Sequence, residues 1–214
     1  NNARIEANIV RNHGETGIDV LGAGAVIEGN EVYGNKWGIF ATYSSTPSPA
    51  DRIEVTGNMV HDNSVYGIGV VNSVSVTRNE VFGHRTSNGS GIEATAGAET
   101  PQVSENTVFD NLVGIVIAGN NGRQPIASGN IAYRNTVGIS GSGAAQILGN
   151  QTYSNSIGIR TQSSGSTFTG LIANNLVYAN ANQGIAVLHA SSTGARVFNN
   201  TVYQATGESI RIAP

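Results

Sequence analysis

Tyr66, His84, Arg85 and Glu93 stand near one another in the chain and are its best-equipped group for acid–base chemistry. A phenol or imidazole beside a carboxylate passes protons efficiently once burial or a neighbouring charge tunes its pKa. Trp37, the single tryptophan, lies next to Lys36, the single lysine, and offers a broad ring face for stacking. Arg160 and Arg211 supply positive charge for an anionic ligand further along. With no cysteine and four scattered histidines the chain has no zinc spacing, and it has no EF-hand pattern, so no metal site is expected. Phosphate-cradling loops and serine-hydrolase elbows are absent as well.

These groups need a scaffold, and an internal repeat supplies it. A unit of the form Asn-x-Val-aromatic-x-Asn, a short gap, then Gly-Ile-x-Val runs the length of the chain. Its first Asn falls at Asn8, Asn30, Asn58, Asn79, Asn106, Asn130, Asn150, Asn175 and Asn200. Gly-Ile recurs at Gly17-Ile18, Gly38-Ile39, Gly67-Ile68, Gly91-Ile92, Gly114-Ile115, Gly138-Ile139, Gly158-Ile159 and Gly184-Ile185, and Ser209-Ile210 closes the series. A β-branched run such as Val74-Ser75-Val76 precedes each leading Asn. Alternation with period two fits short strands, and no window sustains helical periodicity.

Units this short cannot bury a core alone, so they must stack on their neighbours. The pattern predicts an all-β, right-handed, single-stranded parallel β-helix of nine coils, with three parallel sheets and Asn ladders. At about 4.8 Å per coil the rod is roughly 40 Å long. Asn suits a tight turn because it bonds to the backbone of the next coil and tolerates left-handed dihedrals. A second Asn column passes through Asn35, Asn63, Asn111, Asn135, Asn155 and Asn180. It also includes His13 and His84, so His84 is a candidate for the ladder as well as for catalysis. The aromatic column Tyr33, His61, Phe82, Phe109, Tyr133, Tyr153, Tyr178 and Tyr203 is expected to stack and so stabilise the coils. The chain reads as one domain over 1–214. With neither end visibly capped, it is expected to be part of a longer protein whose open coils favour end-to-end association.

On the Gly-Ile-x-Val strand the residue after Ile should face solvent, giving the column Asp19, Phe40, Gly69, Glu93, Val116, Ser140, Arg160, Ala186 and Arg211. The connections Thr42 to Asp51, Ala118 to Pro125 and Thr161 to Gly170 leave this strand on one side, and Arg85 to Ser90 enters it from the other. Loops walling a long sheet make a bed for an extended polymer. Residues 1–110 carry six basic and thirteen acidic side chains, whereas 111–214 carry five Arg and one acid, Glu208. The column therefore runs from an acidic end to a basic one, a field that steers an anionic polymer. An overall charge of −3 with one lysine argues against nucleic acid, and no apolar run is long enough to span a membrane.

The segments Gly29-Asn30-Glu31-Val32-Tyr33-Gly34-Asn35-Lys36-Trp37-Gly38-Ile39 and Gly57-Asn58-Met59-Val60-His61-Asp62-Asn63-Ser64-Val65-Tyr66-Gly67-Ile68 resemble the parallel β-helix repeat family. That family includes mannuronan C-5 epimerases, polysaccharide lyases and many bacterial surface proteins. The resemblance implies an extracellular or cell-surface bacterial module that binds or modifies an acidic, alginate-type polysaccharide, by epimerase or lyase chemistry if it is an enzyme. On this basis Trp37, Arg85, Arg160 and Arg211 would bind substrate, and Tyr66, His84 and Glu93 would be the catalytic candidates. Calcium is implied by the resemblance alone. The epimerases carry Tyr-Gly-Phe-Asp-Pro-His, in which Tyr and His handle the sugar proton and Asp supports them. Here the nearest match is Tyr66-Gly67-Ile68-Gly69-Val70-Val71, and Asp-Pro-His occurs nowhere. The alternative is a non-catalytic spacer, stalk or filament module.

Overall fold

The computed structural model describes residues 2–43, 51–161, 167–188 and 194–213. Twenty-seven short strands form three parallel sheets of nine strands each, and every strand pairs with the strand three places along the chain. The first sheet begins with β1 (Arg4–Glu6) and the second with β2 (Ile9–Arg11). The third holds β3 (Thr16–Leu21), β6 (Trp37–Thr42), β9 (Tyr66–Val71), β12 (Ser90–Thr95), β15 (Val113–Ala118), β18 (Val137–Ser142), β21 (Ile157–Thr161), β24 (Gln183–Leu188) and β27 (Glu208–Ala213). This is the expected right-handed parallel β-helix.

Register turns the repeat into rows. Ile18, Ile39, Ile68, Ile92, Ile115, Ile139, Ile159, Ile185 and Ile210 are partners across the third sheet. From Ile39 to Ile185 each is fully buried, and burying a side chain of that size contributes about 2 kcal/mol. The glycines before them are imposed by packing. A Cβ on Gly38 would lie 2.4 Å from the Gly67 carbonyl oxygen, and one on Gly114 would lie 2.5 Å from that of Gly138. One larger side chain, Phe168, also enters the core, where Gly141 leaves room for its ring.

The first ladder is continuous. Each carboxamide oxygen accepts from the backbone N–H and the side-chain N–H of the Asn one coil earlier, as Asn58 does from Asn30 at 3.0 Å for both. From Asn30 onward each Nδ2 also donates to a carbonyl of the coil before, as Asn58 does to Ile27 at 2.9 Å. The expected left-handed dihedral is not on the ladder Asn. It falls on the preceding residue at all nine positions, from Ala7, Gly29 and Gly57 to Asn174 and Asn199, so the Asn itself is free to point inward. The second ladder runs beyond its last Asn to Gln204, whose Oε1 accepts from the Asn180 N–H at 2.9 Å. Tyr33 through Tyr178 stack as expected, with ring centroids 4.8–5.1 Å apart. The ring faces cover one another, which leaves edges rather than platforms along that sheet. No helix among the described residues is long and apolar enough to cross a membrane.

Candidate functional site

The third sheet carries the site. The row after Ile is Asp19, Phe40, Gly69, Glu93, Val116, Ser140, Arg160, Ala186 and Arg211, in the order read from the sequence, but Gly69, Ser140 and Ala186 are buried where exposure to solvent was expected. A groove of about 610 Å³ lies along the middle of this face. Tyr66, Glu93, Val116, Ser140 and Arg160 form its floor, Ser87 to Ser90 stand on one side, and Ala118 and Asn120 on the other. The turn at 85–90 and the one after β15 therefore supply two of the expected walls. The segments at 44–50 and 162–166, part of the other two expected walls, lie outside the described residues.

At the acidic end three aromatic rings gather. Trp37 and Tyr66 are register partners with centroids 6.3 Å apart, and Phe40 lies 6.3 Å from Trp37. Gly69 is buried beneath Phe40 and Tyr66, and a Cβ there would meet the Phe40 ring at 3.3 Å. The Lys36 ammonium sits 5.5 Å from the Trp37 ring and pairs with Glu15 at 3.2 Å. The Trp37 indole nitrogen is buried with no hydrogen-bond partner among the described residues.

Glu93 lies in the next rung after Gly69. Burial pushes its carboxyl above the ordinary carboxylate range. The Tyr66 phenol is also raised, chiefly by burial and secondarily by the Glu93 charge. Arg160, half-buried at the other end of the floor, is shifted down by burial. Three rungs separate Glu93 from Arg160, roughly 14 Å along the axis.

Three sequence candidates lie elsewhere. His84 is fully buried and belongs to the second ladder. Its Nδ1–H donates to Asn111 Oδ1 at 2.9 Å, and its Nε2 accepts from Asn63 Nδ2 at 3.3 Å, so the neutral ring fills an Asn position and faces away from the groove. Arg85 turns from the groove toward the second-sheet side. There it donates from Nε to the Asp110 carbonyl at 3.1 Å and forms an ion pair with the Asp110 carboxylate. Asp110 also holds Arg134, and these two guanidiniums, Arg134 foremost, keep its pKa below the usual range. Arg211 is exposed on β27, 3.8 Å from Glu208, two rungs beyond Arg160 in the same row.

The His84 placement has a pH consequence. Burial holds the imidazole down at about 4, against about 6.5 in an unfolded chain. Between those values the unfolded chain binds a proton that the folded one refuses. The stabilisation is therefore complete above pH about 6.5 and lost as the pH falls to about 4, by about 3 kcal/mol in total. Urea unfolding across that range should show the loss in the wild type and a shallower slope in His84→Asn. Equal slopes would disprove the assignment.

Among the described residues no group of three or more His, Asp or Glu side chains is placed to hold a metal ion. Asp19 and Glu93 share the outward row but stand three rungs apart and do not converge on one cation. The described residues therefore offer no clustered carboxylates for the calcium implied by the resemblance.

A three-sheeted right-handed solenoid with a loop-walled trough on one sheet defines the class of parallel β-helix proteins. The chain belongs to the right-handed beta helix region family, whose model matches residues 1–152. Among solved structures it is similar to the Azotobacter vinelandii mannuronan C-5 epimerase AlgE4 A-module, with a TM-score of 0.74 and 18% identity over 99% of this chain and 63% of that one. A double mutant of the periplasmic alginate epimerase AlgG matches with a TM-score of 0.70 and 15% identity over 95% of this chain and 50% of that one. Pectate lyase Pel9A matches with a TM-score of 0.70 and 12% identity over 99% of this chain and 69% of that one. The chain thus spans less than two thirds of the AlgE4 module and half of AlgG. No curated protein matches the sequence.

Proposed function

We propose that the third-sheet groove binds an extended acidic polysaccharide lying parallel to the helix axis. The observation that carries this reading is the alignment, along one strip of sheet, of an aromatic patch, a half-buried carboxyl and a half-buried guanidinium. Sugar rings have an apolar face suited to Tyr66 in the groove and to Trp37, which lies one rung before it and outside the groove lining, and a sugar carboxylate suits Arg160. The folds of the alginate epimerases and of pectate lyase support a polysaccharide partner. AlgG, described as periplasmic, accords with a location outside the cytoplasm. If the bound sugar is also modified, Tyr66 and Glu93 are the groove's proton carriers.

A second reading is a module that holds its glycan unchanged, as a spacer or adhesive stalk. It is favoured by Gly69 and Val71, which occupy the positions where the epimerase motif carries Asp and His. Both readings need the groove to bind. Titration calorimetry with acidic polysaccharides, alginate among them, should find micromolar affinity for at least one, and Arg160→Ala should weaken it by about tenfold or more. Equal binding by wild type and variant, or none by the wild type, would count against the proposal.

A further inference from the structure

We propose that the groove selects a polymer of mixed charge, in which neutral sugars separate the acidic ones, over a continuous polyuronate. The inference rests on the groove being a glycan site and concerns which glycan it takes. Its ground is the order of side chains on the floor. Tyr66, the one ring of the aromatic patch that lines the groove, and Glu93 come first, then Val116 and Ser140 with no charge, then Arg160.

An extended glycan advances by a distance comparable to one rung per sugar, so a chain with one sugar over Arg160 places others over Ser140, Val116 and Glu93. In a polyuronate each of those sugars carries a carboxylate. The one over Glu93 would then sit against a like charge in a partly desolvated trough, where repulsion is poorly screened. The cations nearest that end are committed elsewhere: Lys36 to Glu15 and Arg85 to Asp110. No set of carboxylates among the described residues is placed to bring in a bridging metal. A neutral sugar avoids this conflict. Its hydroxyls can donate to Glu93 while its apolar face lies on the Tyr66 ring. The floor thus accepts acid at Arg160 and repels it at Glu93, an arrangement in which discrimination comes from the repulsive element.

The test is titration calorimetry of the full chain at neutral pH with EDTA present. The probes are polymannuronate as the continuous polyuronate, deacylated gellan as a polymer whose uronates are separated by neutral sugars, and dextran as the neutral control. Gellan is expected to bind about tenfold tighter than polymannuronate, and dextran weakly. In Glu93→Gln the preference should collapse to near parity because polymannuronate gains, while Arg160→Ala should reduce gellan to the level of dextran. Glu93→Ala serves as a second variant if the glutamine form does not fold. Polymannuronate binding as well as gellan, or a preference unchanged in Glu93→Gln, would overturn the inference while leaving a glycan site intact. Binding of none of the three polymers would overturn the glycan site and this inference with it.

Discussion

Asn130→Ala is expected to lower the unfolding free energy by about 4 kcal/mol, because it breaks a buried chain of amides at its middle. Asn130 is fully buried. Its Nδ2 donates to the Val103 carbonyl and to Asn150 Oδ1, each at 2.9 Å. Its Oδ1 accepts from the Asn106 backbone and side chain at 3.0 and 2.9 Å. Alanine would leave the Asn106 backbone N–H without its acceptor and the Val103 carbonyl without its side-chain donor, each costing about 1–3 kcal/mol before relaxation, while Asn106 Nδ2 keeps the Val76 and Ser104 carbonyls. Asn8 heads the ladder with its side chain near solvent, and Asn8→Ala should cost about 1 kcal/mol. Urea denaturation of both variants checks this, and equal losses would show that the ladder's interior is no more demanding than its end.

Gly114→Ala is expected to cost more than about 3 kcal/mol, although it adds only one methyl group. The new Cβ would lie 2.5 Å from the Gly138 carbonyl oxygen and 2.9 Å from Asn135 Nδ2. Neither can retreat. The carbonyl is sheet backbone, and the amide is fixed by Asn155 and Val108. Gly14 has nothing within 4 Å of its would-be Cβ, so Gly14→Ala should be nearly neutral. A thermal melt in which the two variants match would refute steric exclusion as the reason for the glycine column.

The sequence made the fold readable because each rung meets only its neighbours, so every structural requirement recurs at the same phase. Gly-Ile is such a requirement: the glycine clears the next backbone and the isoleucine fills the core. The outward row from Asp19 to Arg211 was legible for the same reason. What escaped was aperiodic. The direction of Arg85 depends on Asp110 one rung on and on the turn that carries it, and no alternation rule reports that. The choice of His84 between groove and ladder was settled only by the partners Asn63 and Asn111. Assigning the left-handed dihedral to the ladder Asn overlooked a visible signal, the glycines at 29, 57, 129 and 149 directly before Asn30, Asn58, Asn130 and Asn150. Gln204 was missed because a longer amide filled the place of an asparagine. Phe168 gave no signal at all, since its loop has no counterpart in the other repeats.

The pairing of every strand with the strand one turn away also governs how the molecule assembles. Bonds along the first ladder join residues only 20 to 28 positions apart in the sequence, however far along the rod they lie. No step requires distant parts of the chain to meet, so the entropic penalty of loop closure stays nearly constant from one end to the other. Folding can therefore start on any well-packed pair of turns and spread in both directions like a zipper.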